Sequence, residues 1–377
     1  MIETLGLLTV FFGLGYVFLL GVLYSLWKRI PETRLSHYFG SKFPRVSIII
    51  AARNEAQNIV KCLNSIIKND FPSSDYEVLV IDDNSTDDTF EQVVSMHHSN
   101  INCLKNPLEG KKTALTYGVE KASFEIILCT DADCILPKNW IKSHSLFFNK
   151  YPQRQTCVGL VLPQIKETAL ARFQWLDYAA TMVITLVGHR FFGVYLGNGA
   201  HISYRKTAFY EVNGYDTDSH VASGDDIFLI KKIATQYPNS IGFIKDKNIT
   251  VETKPESSWS QLWLQRKRWA TKTSQVKDFK ISAFQGFVFL YVLICVVSIV
   301  LGIVLWNVSL LVYGFVGFTI KFLIDYFFLR YLSQYFSQPE ALSSFMISSI
   351  VYIFHILQSA YFALWPSKYT WKGRAVR

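Results

Sequence analysis

Hydrophobic and polar positions alternate in two different rhythms along this chain. Leu5 to Trp27 is uncharged and long enough to cross a bilayer as one helix. Lys28 and Arg29 follow it at once, so it reads as an anchor over residues 1–30 with its C-terminal end in the cytoplasm. Its apolar core is too long for a signal peptide. From about Val46 to Lys280 no segment reads as a span, and the rhythm changes. Val46–Ala51, Glu77–Ile81 and Glu125–Thr130 are short, β-rich runs of the kind found in buried parallel strands. Ile59, Leu63, Ile66 and Ile67 recur at helical spacing between them, as do Ala114, Leu115 and Val119. Alternating β and α elements predict a doubly wound sheet over residues 44–280, with ligand sites at the carboxyl ends of its strands.

Thr168–Tyr195 breaks the pattern. It is apolar, yet Arg172, Asp177, His189 and Arg190 interrupt it. A spanning helix should not carry so many charges. The expectation is an amphipathic region over 168–195, at the membrane surface or lining an acceptor entrance; a buried core helix is the plainer alternative. Three apolar stretches follow within 284–365. Phe284–Trp306 is clean, and Leu342–Trp365 carries only His355. Val308–Phe328 carries Lys321 and Asp325, four apart on one helical face and able to pair. The tail, 366–377, holds Lys368, Lys372, Arg374 and Arg377. Counting one span before the domain and three after it puts this tail outside the cell, whereas its charge favours the inside. A re-entrant or interfacial C-terminal segment would resolve that conflict.

Composition narrows the class. Of 377 residues, 50% are hydrophobic and only 18% are charged, too apolar for an ordinary soluble protein. The net charge of +9 sits largely beside apolar segments, which points to a membrane surface. No nucleic-acid partner is expected, because no basic stripe lies on a DNA- or RNA-binding motif. The six cysteines form no CxxC pair and suit a reduced, cytosol-facing domain.

Candidate chemistry gathers where strands end. The first strand runs into Ala51-Ala52-Arg53-Asn54-Glu55, small residues followed by donors and an acceptor. The second ends in Asp82-Asp83-Asn84-Ser85-Thr86-Asp87-Asp88. Capping of the next helix explains the later residues, but not Asp82 and Asp83. Gly110-Lys111-Lys112 opens a helix, where a lysine and free N–H groups suit a phosphate; a solvated surface lysine fits equally well. The spacing is not that of a Walker A loop. The sharpest feature is Ile126-Ile127-Leu128-Cys129-Thr130-Asp131-Ala132-Asp133, a hydrophobic strand delivering two carboxylates one residue apart. Mg²⁺ and Mn²⁺ prefer oxygen ligands, and Mg²⁺ commonly takes one or two carboxylates plus substrate phosphates. Gly197-Asn198-Gly199-Ala200 and Gly224-Asp225-Asp226 come later. In the latter an acid is either a helix cap or a general base. Gln265-Arg266-Lys267-Arg268-Trp269 offers an indole platform for a sugar ring and arginine for phosphate, or else a juxtamembrane helix on anionic lipid.

Taken in order, these motifs resemble the membrane-integrated branch of the family 2 glycosyltransferases, which includes cellulose, chitin, hyaluronan and poly-N-acetylglucosamine synthases and ceramide glucosyltransferases. The resemblance covers roughly Pro44 to Trp269. It implies a glycosyltransferase A-type fold, a Rossmann-like mixed sheet, and inverting transfer from a nucleotide-diphospho-sugar, UDP-sugars being favoured. It implies that Ala52, Arg53, Glu55, Asp82, Asp83, Lys111 and Asp131 bind the donor. Asp131 and Asp133 would hold Mg²⁺ or Mn²⁺. Asp226 would be the base beside Asp225, and Gly199, Gln265, Arg268 and Trp269 would serve acceptor and diphosphate. A lipid or a growing polysaccharide would be the acceptor, and the cell (inner) membrane the location. Processive relatives usually carry more spans than this chain, so the motifs do not imply polymerisation. The alternative is a membrane protein that binds nucleotide sugars without turning them over.

Overall fold

The computed structural model describes residues 2–33, 43–215, 225–275, 278–364, 369–371 and 374–376; the side chains of Asp225, 271–275 and 363 onward lie outside that description. The chain divides into two compact units. One holds residues 1–30, 165–194 and 255–367, the other 31–164, 195–254 and 368–377. The single 44–280 domain expected from the sequence is thereby divided: 165–194 and 255–280 belong with the apolar helices.

The helical unit opens with α1 (Ile2–Arg29). Its buried positions, Gly6, Thr9, Gly13, Tyr16, Leu20, Leu23 and Trp27, recur every three or four residues and so line one face. Elements of the second unit then intervene: β1 (Val46–Ala52), α2 (Ile59–Ile67), β2 (Tyr76–Asp82), α3 (Thr89–Val94), β3 (Ile101–Lys105), α4 (Lys111–Lys121), β4 (Ile126–Cys129), α5 (Trp140–Lys150), β5 (Thr156–Gly159) and β6 (Val161–Pro163). The helical unit resumes with α6 (Ala169–Val187), and β7 (Ile202–Arg205), α7 (Lys206–Glu211), α8 (Asp225–Gln236), β8 (Ile241–Ile244) and β9 (Val251–Thr253) complete the second unit's main body. Last come α9 (Trp259–Gln275), α10 (Phe279–Val304), α11 (Val308–Tyr335), α12 (Phe345–Leu364) and a small antiparallel pair, β10 (Tyr369–Trp371) and β11 (Arg374–Val376).

Among the described residues, four helical segments are long and apolar enough to cross a membrane: Ile2–Arg29, Phe279–Val304, Val308–Tyr335 and Pro339–Phe362. Small residues let them approach closely. A Cβ at Gly6 would lie 2.6 Å from the Tyr313 ring, and one at Gly314 would lie 2.5 Å from Ile299. Lys321 and Asp325 pair as their spacing predicts. Asp325 Oδ1 also accepts from Tyr16 Oη on α1 at 2.6 Å, so the pair ties two helices together. Removing one member of a buried pair strands the other charge. Asp325→Ala is therefore expected to destabilise this unit by about 3 kcal/mol, read as a lower thermal midpoint in detergent. An unchanged midpoint would contradict it.

Two of the interruptions in 168–195, Asp177 and Arg172, have partners inside this unit. Asp177 lies 2.6 Å from Arg266 Nη2, and both side chains are largely buried. Most of α6 is buried as well, including Phe173, Trp175, Leu176, Met182 and Val183. Asp177 thus serves internal pairing, while Arg190 is exposed. The basic tail residues Lys368, Lys372 and Arg377 lie outside the described residues, as does Gly224.

The second unit is built on a seven-stranded sheet in the order β3-β2-β1-β4-β7-β5-β8. β7 runs antiparallel to both β4 and β5, and every other neighbouring pair is parallel. The sheet is thus mixed, as in glycosyltransferase A-type folds. Ile48, Ile49 and Ile50 are all fully buried, so β1 is covered on both faces. Ile49 meets α4, where a Cβ on Gly118 would stand 2.5 Å from its Cγ2. A core of Ile49, Leu79, Ile81, Leu115, Val119, Ile127, Leu229, Ile230 and Ile233 joins the sheet to α4 and α8. Each such side chain contributes about 1.5–3 kcal/mol by leaving water. The strand ends that carry the motifs all point to one edge of this sheet, beside the switch in strand order at β1.

Candidate active site

At the end of β1, Asn54 adopts a left-handed backbone (φ 52°), which asparagine tolerates. Arg53 Nη1 donates to the carbonyls of Asp83 (2.8 Å) and Asn84 (3.0 Å), fastening the β1 end to the β2 end. The Glu55 N–H donates to Thr89 Oγ1 at 2.8 Å, and its carboxylate accepts from Asn58 Nδ2 at 2.7 Å. Ala52 lies at the strand end, where its carbonyl accepts from the Asp83 N–H at 2.7 Å.

Asp83 is 2% exposed. Its Oδ1 accepts from the Gly110 N–H at 2.8 Å and from Asn106 Nδ2 at 2.9 Å. Gly110 has φ 111°, a conformation suited to glycine, and α4 starts at the next residue. Asp83 therefore sets the entry of the helix that carries Lys111. Asp82 is 3% exposed, and its Oδ2 accepts from the Ser85 N–H at 3.3 Å. Its Oδ1 is buried with no partner among the described residues. A buried acceptor in that condition is costly unless something supplies a donor.

Lys111 Nζ stands 2.7 Å from Asp131 Oδ1, their side chains 30% and 36% exposed. A pair this open is worth roughly 1 kcal/mol or less, so the lysine exchanges readily onto an incoming phosphate. Asp133, in the same loop after β4, accepts from Thr253 Oγ1 at 3.5 Å. Beneath the loop, Cys62 donates through Sγ to the Asp131 carbonyl at 3.6 Å. Burial, with Asp133 and Asp131 nearby, pushes the Cys62 thiol well up, and burial does the same to Cys134. All six cysteines are free. Among the described residues no group of three or more His, Cys, Asp or Glu converges to hold an ion. Two carboxylates in one loop instead suit a hard divalent cation completed by substrate phosphate oxygens.

Asp226 lies in the first turn of α8. Its Oδ1 accepts from the Ile227 N–H at 2.9 Å and its Oδ2 from the Gly199 N–H at 2.8 Å. Asn198 Oδ1 accepts from the Ala200 N–H at 3.1 Å and shapes the same turn. A Cβ on Gly199 would lie 3.8 Å from Asp226 Oδ2 and 3.9 Å from Lys111 Nζ. Lys111, Asp131 and Asp226 thus converge around one glycine. The Asp225 side chain lies outside the described residues.

Gln265, Arg268 and Trp269 sit on α9, in the helical unit. Gln265 Nε2 donates to Glu256 Oε1 at 2.8 Å. The Trp269 ring packs edge-to-face on Tyr178 at 5.3 Å and holds the Arg266 guanidinium 4.2 Å from its centroid. One face of the indole is therefore committed to an internal cation–π contact.

Sequence reasoning missed several residues that shape these places. Asn106 and Thr113 join Gly110 in setting the surroundings of Asp83, with Asn106 Nδ2 donating to Asp83 Oδ1 and to Thr113 Oγ1, both at 2.9 Å. Nothing in their local pattern marks them. Arg266 had a signal: an aspartate within an apolar helix needs a cation, and Arg266 supplies it.

Residues 47–212 match the model of Glycosyl transferase family 2, and this part of the chain is a domain of that family. The chain is 26% identical over 247 residues to the poly-beta-1,6-N-acetyl-D-glucosamine synthase of Staphylococcus epidermidis, covering 62% of this chain and 56% of the relative. It is 38% identical over 105 residues to glycosyltransferase AglE of Haloferax volcanii, covering 27% of this chain and 34% of the relative. The chain therefore spans between a third and just over half of these relatives. Among solved structures, a mannosyltransferase from Pyrobaculum calidifontis, PcManGT, in complex with GDP-Man and Mn²⁺, is similar with a TM-score of 0.57 at 18% identity, over 97% of this chain and 99% of that one. At that identity the likeness is one of fold.

Proposed function

We propose that the protein is a membrane-bound, inverting glycosyltransferase that moves a sugar from a nucleotide-diphospho-sugar to an acceptor hydroxyl presented at the membrane. The observation that carries this reading is the convergence of Lys111, Asp131 and Asp226 around Gly199, within a family 2 domain. Asp82, with a buried oxygen awaiting a donor, holds the nucleoside. Asp83 acts through Gly110, keeping the α4 N-terminus aimed at the donor phosphates. Lys111 trades Asp131 for the diphosphate as the donor binds. Asp131 and Asp133 would hold a divalent cation, which when bound supplies countercharge to the departing nucleoside diphosphate.

Asp226 takes the proton of the acceptor hydroxyl as that oxygen attacks the anomeric carbon. The bond to the diphosphate oxygen breaks on the opposite face, which inverts the anomeric centre. The two N–H groups on Asp226 fix the carboxylate's orientation. Gln265, Arg268 and Trp269 serve acceptor or diphosphate binding in this reading. The apolar helices anchor the protein in the cell membrane, with the sheet domain facing the cytosol.

The test is turnover by the full chain in native membranes. Donor-dependent release of nucleoside diphosphate, requiring Mg²⁺ or Mn²⁺, is the expected result. Absence of turnover across UDP- and GDP-sugar donors would sink the reading. Radiolabelled sugar then identifies the acceptor. One chloroform-soluble product means a lipid acceptor, and a ladder means a growing glycan.

A further inference from the structure

The turn that gives Asp226 its hydrogen bond is clamped from behind by a buried chain of polar groups. His201, which closes the Asn198–His201 turn, places Nδ1 2.8 Å from the Leu160 carbonyl. Its Nε2 lies 3.0 Å from Nε2 of His144 on α5. His144 Nδ1 lies 2.7 Å from Ser203 Oγ on β7. His144, His201 and Ser203 are all fully buried. Burial brings His201 down to about 4 and holds His144 well below the usual histidine range, so both rings are neutral at working pH.

Neutrality fixes the order of hydrogens. A carbonyl only accepts, so His201 Nδ1 carries its ring's hydrogen and Nε2 accepts. His144 must then donate from Nε2 and accept at Nδ1, and Ser203 donates its hydroxyl hydrogen. Every polar atom in the chain has one role. Three segments are joined this way: α5, the link between β5 and β6, and the start of β7. The fit is also steric. A Cβ on Gly159 would lie 2.1 Å from His201 Cε1, so only glycine leaves room for the ring. Apolar side chains of similar volume would fill this space without needing such an arrangement.

We infer that His201 is a positioning residue for catalysis: the His201–His144–Ser203 chain locks the Asn198–His201 turn so that the Gly199 N–H aims the Asp226 carboxylate at the acceptor. The inference rests on the reading of Asp226 as the base. Misplacement of a reacting group by about 1 Å can cost on the order of 10²-fold in rate, so the lock should be visible in kcat. Donor affinity should not register it, because none of His144, His201 and Ser203 is assigned to nucleotide binding.

The experiment is a double-mutant cycle in the full chain. His201→Asn keeps an amide near the Nδ1 position and loses the link to His144, whereas His201→Gln reaches the Nε2 position and loses the link to Leu160. Each should lower kcat by roughly tenfold or more and leave the nucleotide-sugar Kd within about twofold. Combined with Asp226→Asn, each should lower kcat no further, since the two residues act as one unit. A role in folding alone would lower kcat equally in both backgrounds or weaken donor binding in step. Either result, or an unchanged kcat, overturns the inference. If the His201 variants do not fold, Ser203→Ala carries the same test, removing only the terminal donor; a smaller loss confined to kcat and absent beside Asp226→Asn is expected. Failure of the base reading is seen separately, as near-normal turnover of Asp226→Asn itself.

Discussion

Asp226→Asn retains donor binding and loses about 10²–10⁴-fold in turnover. The asparagine is nearly isosteric, and its side-chain oxygen can still accept from the Gly199 N–H at the position Oδ2 holds. Its amide nitrogen replaces an acceptor where the Ile227 N–H donates to Oδ1, a small local cost. What the variant cannot do is take a proton. Donor binding relies on other residues in the proposed reading, so the nucleotide-sugar Kd should stay near that of the parent. Single-turnover measurements separate the two quantities, because KM alone mixes binding with chemistry. Turnover within a few-fold of the parent would remove Asp226 from the role of base.

The second large effect is expected from the paired substitution Asp131→Asn with Asp133→Asn. Removing one electrostatic stabiliser of a developing charge typically costs about 10²–10³-fold in kcat, and this change removes both carboxylates of the loop. It also leaves Lys111 without the carboxylate now 2.7 Å away. Because that pair is partly exposed, its loss should cost little folding stability. A binding readout isolates the effect from chemistry. In the parent protein, donor together with Mn²⁺ should raise the thermal midpoint by mass action. In the double variant the metal-dependent part of that rise should vanish while the fold remains. A full metal-dependent shift in the variant would show that the ion binds elsewhere.

Much of the fold could be read from hydrophobic runs. The strands anticipated at Val46–Ala51 and Glu77–Ile81 form as Val46–Ala52 and Tyr76–Asp82. Three buried isoleucines in a row have no other economical place than a strand covered on both faces. The third, anticipated to Thr130, stops at Cys129, where the loop bearing the two aspartates begins. The strand Ile101–Lys105 was not anticipated. It lies at the sheet edge and is only partly buried, so its residues show no clean run. The segment 168–195 was expected to be interfacial because it carries too many charges for a spanning helix, a buried core helix being the alternative. Its aspartate finds a partner at Arg266, distant in sequence, and no window of local sequence reveals such a pair.

The sequence by itself determined which residues stand at strand ends and in what order, and which helices are apolar enough to cross a membrane. Those properties follow from side-chain type and spacing of two, three or four residues, which are local. Only the tertiary structure decided that Asp83 acts on Gly110, that Lys111 meets Asp131, and that Gly199 lies between Lys111 and Asp226. It also decided that His201 and His144 share one buried hydrogen-bond chain. These are contacts between segments brought together by strand order and by one antiparallel strand, β7, set among parallel neighbours. Strand order arises from packing the whole sheet against its helices, so it leaves no periodicity along the chain from which a contact could be read.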